Sequence, residues 1–518
     1  MIQKRVKINF LIPALIALFA IIINQFYGNR GIFPHDSTGH FDTGFRILLG
    51  DNPVEDYWIV SGFFLDYLQA GLFKLFGVNW QIYVLHASLL NSIFVLTFYF
   101  YFERLNVRKN LNIFFCICLC VLGYTSSGTP FVDHHSTLIS ILALVFFLRI
   151  RKNNKYYYFS FIPFLLLIAF LSKPVPAAYV TLLILSLLFI DFLIERKAIK
   201  IISFFSGGII SLLIFLIFLR AEGISLDNFL TQYIYYSQEI GKSRLTNLKF
   251  DFFGVLDEFK LLLLSIIPLL VLLVKKFSEE GIKFLKKEEF FSLFSFFLLS
   301  IILIFYQLLT RNQTFIFFLI PILVCLSNEL WNRKRIYFIL VILFTLFVTI
   351  KFHDRYNNHR KFHEMQTVDF SKSIDAKLID NKLRGLKWIT PQEKLDPKLE
   401  VLEILKIKKH LLSEKEKYML LTNYSFFSSI LNKNNESFTR WFVGDGTDYP
   451  SKLDSKFQLI LKNLVIQKIK TKEIKKIYLI KPISEKNLKN LIDEKCLEKK
   501  NLSTYLTQIK IICSIDSL

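Results

Sequence analysis

Long apolar runs alternate with short polar segments over the first two thirds of the chain, and the last third is mainly polar. A helix needs about 20 mostly apolar residues to cross the hydrocarbon core of a bilayer. The pattern predicts eleven membrane helices, at 8–27, 82–102, 111–124, 137–150, 156–172, 177–194, 201–219, 259–274, 290–309, 315–331 and 336–350. The pieces 111–124 and 137–150 are short, so a re-entrant hairpin that does not cross the bilayer is an alternative for this pair.

Composition agrees with a membrane protein, because 53% of the 518 residues are hydrophobic and 56 are phenylalanine. Such values exclude a soluble multidomain enzyme, a disordered chain and a small disulfide scaffold. The net charge of +22 comes from basic residues that flank apolar runs or lie in the last third. Flanking of membrane spans explains this charge, so the bilayer is the expected partner and nucleic acid is not.

The basic residues between apolar runs are concentrated in alternate loops. These loops lie at 4–7, 104–109, 149–155, 196–200, 275–287 and 333–335. Because cytoplasmic loops carry the excess of Lys and Arg, the N-terminus is predicted to be cytoplasmic in a bacterial inner membrane. The first apolar run shows no cleavage site, so it is interpreted as an uncleaved span. The fold class is therefore a polytopic α-helical membrane domain at 1–350, with a first external loop at 28–81 and a periplasmic α/β domain at 351–518.

The C-terminal region mixes apolar alternation with lysine-rich helical patterns. Strands are predicted at 418–422 and 476–480, and helices at 398–412 and 484–496. Cys496 and Cys513 would both lie in an oxidising compartment, where they either pair or remain two separate buried thiols.

The most distinctive stretch of this region runs from Thr422 to Ser425 and from Thr439 to Pro450. Acceptor recognition is one interpretation of the stretch. The simpler interpretation is ordinary turn chemistry, because Gly-Asp-Gly and Tyr-Pro are common in turns.

The first external loop concentrates ionisable side chains: His35, Asp36, His40, Asp42, Asp51, Glu55 and Asp56. A solvated acidic loop is the simplest explanation from composition. The apolar segment 58–77 follows, with Phe64, Leu68, Leu72 and Phe76 at four-residue spacing. This spacing predicts an interfacial helix, which would hold the acidic loop at the lipid headgroups, where a lipid-linked substrate meets a polar acceptor.

The same loop carries a family resemblance. His35-Asp36, then Gly50, Asn52-Pro53-x-x-Asp56-Tyr57-Trp58 and Leu68-x-x-x-Leu72-Phe73-Lys74-Leu75-Phe76-Gly77, resemble the opening signature of the GT-C membrane glycosyltransferases. The pattern is similar to the bacterial family-39-like group, which is related to protein mannosyltransferases and lipid A aminoarabinose transferases. The resemblance covers the first hundred residues, and beyond them only the layout of the spans.

This resemblance implies a GT-C-like fold, a polyprenyl-phosphate sugar as donor, and a glycan, lipid or protein as acceptor. It also implies that Asp36 is the catalytic carboxylate of the first external loop. Ser37 stands where a glutamate is common, so a second carboxylate would come from elsewhere, with Asp42 and Asp56 as candidates. His35 and His40 join these two as candidate substrate-binding residues.

The chemistry agrees with a carboxylate in that position. Transfer from a polyprenyl-phosphate sugar expels a phosphate, which is already a stable anion and needs positive charge rather than a general acid. The acceptor hydroxyl needs a base, and Asp36 would take its proton as the oxygen attacks the anomeric carbon. A single displacement of this kind inverts the anomeric configuration.

A second external turn, at 129–136, contains Asp133, His134 and His135. Together with Asp36, Asp133 and His134 could bind a divalent cation, since carboxylate and imidazole suit such ions. The turn could instead hold the acceptor, or cap a helix that begins at Thr137. Members of the resembling superfamily often have a second acidic residue in such a loop, which makes Asp133 the second catalytic candidate.

Two cations on the predicted outer side are candidates for contact with the donor phosphate. Lys173 stands where an apolar run breaks at Pro174, so it either meets the phosphate or snorkels to the interface. Arg311 is a candidate by position only.

Two other functional classes compete with the transferase. A transporter or lipid-linked sugar flippase usually has ionisable residues near mid-membrane and often has repeated halves, and neither feature is visible here. A scaffold for envelope assembly would tolerate substitution throughout the acidic loop.

Overall fold

The computed structural model describes residues 10–124, 127–310, 316–332, 334–391, 396–442, 446–452 and 455–513. Within these ranges the chain is mostly helical, and a small sheet lies near the C-terminus. The helices of the first half are α1 (Leu11–Gly28), α2 (Pro34–Leu48), α3 (Phe63–Phe76), α4 (Trp80–Arg104), α5 (Lys109–Leu122), α6 (Val132–Ile150), α7 (Phe161–Ser172), α8 (Pro174–Glu195), α9 (Ala198–Ala221), α10 (Leu226–Phe229) and α11 (Ser237–Thr246). Those of the second half are α12 (Phe252–Glu280), α13 (Glu288–Thr310), α14 (Leu319–Leu326), α15 (Asn328–Trp331), α16 (Arg335–His353), α17 (Pro397–Ser413), α18 (Phe427–Leu431), α19 (Lys456–Lys472) and α20 (Lys486–Lys489).

Eight helices of the described residues are long and apolar enough to cross a membrane: α1, α4, α6, α8, α9, α12, α13 and α16. All eleven predicted segments contain helix, so a polytopic helical protein is confirmed. The segments 111–124, 156–172 and 315–331 form shorter helices, and the total of eleven crossings stays a prediction.

One helix boundary differs from the sequence prediction in a way that matters for the site. Helix α6 begins at Val132 rather than at Thr137 and is 19 residues long. Asp133, His134 and His135 therefore form its first turns, so the prediction that they cap a helix beginning at Thr137 is wrong. The predicted segment began too late because Asp133, His134 and His135 are polar and interrupt the apolar pattern used to find spans. In the structure neighbouring helices bury all three, so the helix continues through them.

Several of the predicted basic loops meet at one end of the bundle. Arg151, after α6, donates to Asp191 of α8 at 2.6 Å, and Lys200 of α9 donates to the same carboxylate at 2.6 Å. Arg104, at the end of α4, pairs with Glu288 of α13 at 2.7 Å. Arg104 also donates to the Arg149 carbonyl, and Arg151 donates to the Lys286 and Lys287 carbonyls. The loops at 104–109, 149–155, 196–200 and 275–287 therefore lie together, as the alternation of charge predicts.

The first loop, 28–81, is largely folded into α2 and α3 and is not a solvated acidic segment. Proline at the first helical position and Asp36 in the first turn favour the start of α2. Asp42 and Asp51 are buried, each with 3% of its surface exposed. The polar residues of α2 are instead covered by the C-terminal region, which packs on this helix.

The C-terminal region contains a four-stranded sheet with the strand order β3-β4-β6-β5. Its strands are β3 (Tyr418–Leu421), β4 (Lys476–Ile480), β5 (Leu497–Asn501) and β6 (Leu506–Ile511), after a two-stranded pair of β1 (Ile374–Asp375) and β2 (Lys387–Trp388). Strands β3 and β4 are parallel, with α18 and α19 between them in the chain, and the other two pairings are antiparallel. The predicted strands at 418–422 and 476–480 and the helix at 398–412 are confirmed.

The segment 484–496 does not form the predicted long helix. It contains the four-residue α20 and a single 3-10 turn at Glu494–Cys496. Cys496 is bonded to Cys513, which closes this segment against the end of β6. The two cysteines therefore pair and are not two separate buried thiols.

Candidate functional site at the polar end of the bundle

A buried ion pair joins the start of α6 to the start of α8. The Lys173 amine donates to both carboxylate oxygens of Asp133, at 2.8 Å each. The Tyr306 hydroxyl of α13 donates to the same carboxylate, and Ser136 donates to the Lys173 carbonyl at 2.9 Å. Lys173 precedes Pro174 and has an extended backbone, because the proline ring keeps the preceding residue out of the helical region. Lys173 thus neutralises Asp133 inside the bundle, and of its two alternatives, snorkelling to the interface does not fit this position.

Asp36 faces the same space from the first turn of α2. Its side chain is partly exposed, and its carboxylate lies within electrostatic range of Lys173. A carboxylate in the first turn is stabilised by the helix dipole. The structure therefore brings together Asp36, Asp133 and Lys173, which are far apart in the sequence.

A cavity of about 580 Å³ lies between these groups, a size typical of small-molecule sites. Its polar lining includes Asp36, His40, Asp133, Lys173, Lys242, Arg244, Thr447 and Asp448. Apolar lining comes from Tyr179, Leu245, Phe305 and Leu309. Phe305 belongs to a candidate membrane span and is 39% exposed on its surface. The cavity thus reaches from a strongly polar interior to the apolar outer surface of the bundle.

Helix α11 supplies two cations that the sequence analysis missed. Lys242 and Arg244 line the cavity, and Arg244 interacts electrostatically with Lys173 and Tyr306. The segment lies between two spans on the side where the positive-inside rule predicts few cations. Basic residues against that rule were the available signal for a functional role.

The C-terminal region forms a further wall of the cavity through Trp441, Thr447 and Asp448. The indole N–H of Trp441 donates to the Asp448 carboxylate. These residues lie in the stretch for which ordinary turn chemistry was the simpler interpretation. The local sequence did not show that these residues line a cavity, because their position depends on how the C-terminal region packs on α2.

The packing is held by a buried network around Asp66 of α3. Arg440 donates to the Asp66 carboxylate at 2.5 Å, and the His40 ring lies 2.7 Å from its other oxygen. Burial, reinforced by the positive charge of Arg440, lowers the pKa of His40 to about 4, although Asp66 opposes the shift. Burial alone would raise the pKa of Asp66, but Arg440 and His40 outweigh it and hold that pKa below its usual range. His40 is therefore a neutral cavity-lining side chain with one nitrogen directed to Asp66.

Asp42 and Asp56 do not line the cavity and are not placed to bind substrate there. Asp42 accepts from the Ser428 amide at 3.1 Å and from Asn435 at 2.9 Å. Burial raises the pKa of Asp42, in opposition to Arg46 and these hydrogen bonds. Asp56 accepts from the Asn52 amide at 2.8 Å and closes a turn. Neither carboxylate replaces the missing glutamate at Ser37.

His135 is part of a buried chain of hydrogen bonds that packs α6 against α4. The His135 ring lies 2.9 Å from His86 and 2.6 Å from the Tyr124 hydroxyl, and His86 lies 2.9 Å from Gln69. One proton order satisfies all three contacts with both imidazoles neutral, running from Tyr124 through His135 and His86 to Gln69. His134 is equally buried and packs on the Tyr124 ring. Neither histidine lines the cavity, so their predicted role in substrate binding is corrected to one in packing.

Two predicted residues lie outside the described part of the molecule: the side chain of His35, and Arg311. Among the described residues, no group of three or more His, Cys, Asp or Glu side chains is arranged to hold a metal ion. The set Asp36, Asp133 and His134 is therefore not assembled as ligands, since Asp133 bonds Lys173 and Tyr306 instead.

Comparison with models of known protein families finds no match to this chain, and comparison with curated proteins finds none either.

Proposed function

We propose that this protein is an integral membrane glycosyltransferase with a GT-C-like fold, which transfers a sugar from a polyprenyl-phosphate donor to an envelope acceptor. The observation that carries the proposal is the cavity in which Asp36 faces Lys173 and Arg244 at the polar end of a membrane bundle. A donor of this class has an isoprenoid tail, an anionic phosphate and a polar sugar. The cavity has a matching group for each part: the apolar side chain of Phe305 for the tail, the cations Lys173 and Arg244 for the phosphate, and the Asp36 carboxylate beside the sugar.

In this reaction Asp36 is the general base. It takes the proton of the acceptor hydroxyl while the acceptor oxygen forms a bond to the anomeric carbon. The bond between that carbon and the phosphate oxygen breaks, and the electron pair leaves with the polyprenyl phosphate. Lys173 and Arg244 stabilise the leaving phosphate, and the anomeric configuration is inverted.

Asp133 has a supporting role in this mechanism rather than a second catalytic one. Its carboxylate bonds Lys173 and Tyr306 and fixes the amine at the edge of the cavity. A lysine held by a buried carboxylate has a defined position for the phosphate, which reduces the ordering that substrate binding requires. No step in this mechanism uses a metal ion.

The proposed location is a bacterial inner membrane with the C-terminal region on the outer, periplasmic face. The disulfide between Cys496 and Cys513 supports an oxidising compartment for this region. The basic ends of α4, α6 and α9 lie together, and the positive-inside rule favours the cytoplasm for them.

The test is mass spectrometry of envelope glycolipids, glycans and glycoproteins from source cells that lack the gene. The strain is complemented with wild type, with Asp36→Asn or with Asp227→Asn, a matched control because Asp227 is exposed and outside the cavity. We expect one sugar mass to disappear in the deletion and to return with wild type and Asp227→Asn, but not with Asp36→Asn at equal protein level. Full restoration by Asp36→Asn would exclude Asp36 as the base, and no change of sugar mass in any strain would contradict the transferase.

A further inference from the structure

Trp441 is held in one position on the cavity wall from several directions. Its neighbours in the chain are pinned, since Ser425 donates to the Arg440 carbonyl at 3.1 Å and the Phe442 amide donates to Asn423 at 2.9 Å. The indole N–H bonds Asp448. The Arg440 guanidinium lies over the indole ring at 4.9 Å. The indole is thus fixed in advance on the wall of a cavity that also contains the Asp36 carboxylate.

Glycine at position 39 of α2 makes this arrangement sterically possible. A methyl group on Gly39 would come within 2.9 Å of the Trp441 ring and of the Arg440 side chain. The His40 ring also packs edge-on against the indole, with ring centres 6.5 Å apart. Helix α2 therefore presents Asp36 and, one turn later, the surface on which Trp441 rests.

A chain of contacts among lining residues connects α13 to Trp441. Phe305 and Tyr306 lie on α13, and Tyr306 bonds Asp133, which bonds Lys173. Asp36 is within electrostatic range of Lys173, and the α2 turn that follows it contacts Trp441. Along this chain of contacts Asp36 lies between the Lys173 amine and the wall that contains Trp441.

In a displacement at the anomeric carbon, the attacking oxygen and the leaving phosphate lie on opposite sides of that carbon. If the cations hold the phosphate and Asp36 meets the attacking oxygen, the acceptor lies on the Trp441 side. This placement rests on the proposed function, because it takes the donor phosphate to lie at Lys173 and Arg244.

We propose that Trp441, Thr447 and Asp448 form the acceptor site and that the acceptor is a saccharide. An indole face covers the apolar C–H face of a sugar ring, and its rigidity limits the entropy lost on binding. The Asp448 carboxylate accepts from the Trp441 indole and from the Thr447 hydroxyl, and a carboxylate has further lone pairs that accept from a sugar hydroxyl. The Thr447 hydroxyl oxygen is itself an acceptor. A serine or threonine acceptor has no ring for the indole to cover.

The experiment uses the full-length protein in lipid nanodiscs and saturation-transfer NMR with three kinds of probe. The first is a set of methyl glycosides of mannose, glucose, galactose and N-acetylglucosamine. The second is N-acetylserine amide, and the third is farnesyl phosphate. The proteins compared are wild type, Trp441→Ala, Gly39→Ala and the control Tyr337→Ala, whose ring is 48% exposed on α16.

We expect at least one methyl glycoside to bind wild type and Tyr337→Ala, with affinity about tenfold lower in Trp441→Ala, equivalent to about 1.4 kcal/mol. Gly39→Ala keeps the indole but displaces it, so it should also weaken the glycoside if it folds as judged by gel filtration. Farnesyl phosphate should bind all four proteins equally.

Three results would overturn the inference: no methyl glycoside binds wild type, Trp441→Ala leaves the glycoside affinity unchanged, or N-acetylserine amide binds in place of the glycosides. Failure of farnesyl phosphate to bind wild type would overturn the proposed function itself. The two failures are thus distinguished by which probe is lost.

Discussion

The Arg440 guanidinium donates a 2.5 Å hydrogen bond to the Asp66 carboxylate, and 374 residues separate the two in the chain. Both side chains are buried, and Arg440 also donates to the Ser61 carbonyl at 3.1 Å. The pair fastens the C-terminal region to the first loop directly behind Trp441. The position of Trp441 relative to α2, which carries Asp36, therefore depends on this pair.

Removing one member of this buried pair should destabilise the protein strongly. Asp66→Asn or Arg440→Met leaves an uncompensated buried charge, which costs about 3 to 5 kcal/mol. The double variant should lose less than the sum of the single losses, as measured by thermal unfolding in detergent. The matched control is the exposed pair Asp257 and Lys260, whose neutralisation should leave the unfolding midpoint unchanged. Strictly additive losses at Asp66 and Arg440 would contradict the coupling.

Lys173→Met should abolish sugar transfer and also destabilise the fold, because Asp133 is then buried without its cation. Adding Asp133→Asn removes the stranded charge. The double variant should therefore regain a thermal midpoint close to that of wild type without regaining transfer, since the cation for the phosphate is still missing. Recovery of transfer in the double variant would show that Lys173 has no role beyond neutralising Asp133.

His40 should make the stability of the protein depend on pH. Its folded pKa of about 4 lies below its usual value of 6.5, so the unfolded chain binds a proton first as the pH falls. The contribution is complete above pH 6.5 and is lost between pH 6.5 and 4, amounting to roughly 3 kcal/mol. Unfolding midpoints of wild type and His40→Gln, taken from pH 7 to pH 4, isolate this loss by difference. If the unfolding midpoints of wild type and His40→Gln change in parallel with pH, the pKa of His40 is not lowered by folding.

The disulfide provides a test of orientation. In intact cells a membrane-impermeant maleimide should label neither Cys496 nor Cys513 before reduction and both after it, because the disulfide blocks both thiols until it is reduced. The other four cysteines are buried and should add no background. The Cys496→Ala/Cys513→Ala double variant is the control and should remain unlabelled throughout. Labelling only after the membrane is permeabilised would mean that the C-terminal region faces the cytoplasm.

His135→Phe should lower stability while sparing substrate affinity, because the replacement breaks the chain from Tyr124 to His86 and does not alter the cavity lining. An unpaired buried polar group costs about 1 to 3 kcal/mol. Thermal unfolding combined with farnesyl phosphate binding separates the two effects. Weaker farnesyl phosphate binding with an unchanged unfolding midpoint would instead indicate that His135 contributes to substrate binding.

Sequence pattern was sufficient for the features that depend on local physics. Apolar runs located the eight helices long enough to cross a membrane, although α2 and α19 were not predicted. Apolar alternation located β3 and β4, and the break at Pro174 singled out Lys173. Asp36 and Asp133 did not come from local physics alone: the resemblance of the first loop implied Asp36, and the polar turn at 129–136 together with that resemblance made Asp133 a candidate.

The remaining parts of the site depend on partners that are distant in the chain. Asp42 looked like Asp36 in sequence, but Ser428 and Asn435 cover it after folding. Trp441 looked like part of a turn, but in the folded protein it packs against Gly39 of α2 and lines the cavity. No local pattern encodes a contact across 386 or 393 residues, so these assignments required the tertiary structure.

The long separation between α2 and its partners has a consequence for biosynthesis. The ribosome synthesises Asp42 and Asp66 early. Their partners Ser428, Asn435 and Arg440 follow more than 370 residues later. At about 5 to 20 residues per second this interval is roughly 20 to 75 s, during which neither carboxylate has its C-terminal partners. The helical bundle is thus inserted well before its polar end can close. A nascent chain that stops between residues 364 and 427 contains all eight candidate spans of the described residues but lacks the C-terminal partners of Asp42 and Asp66.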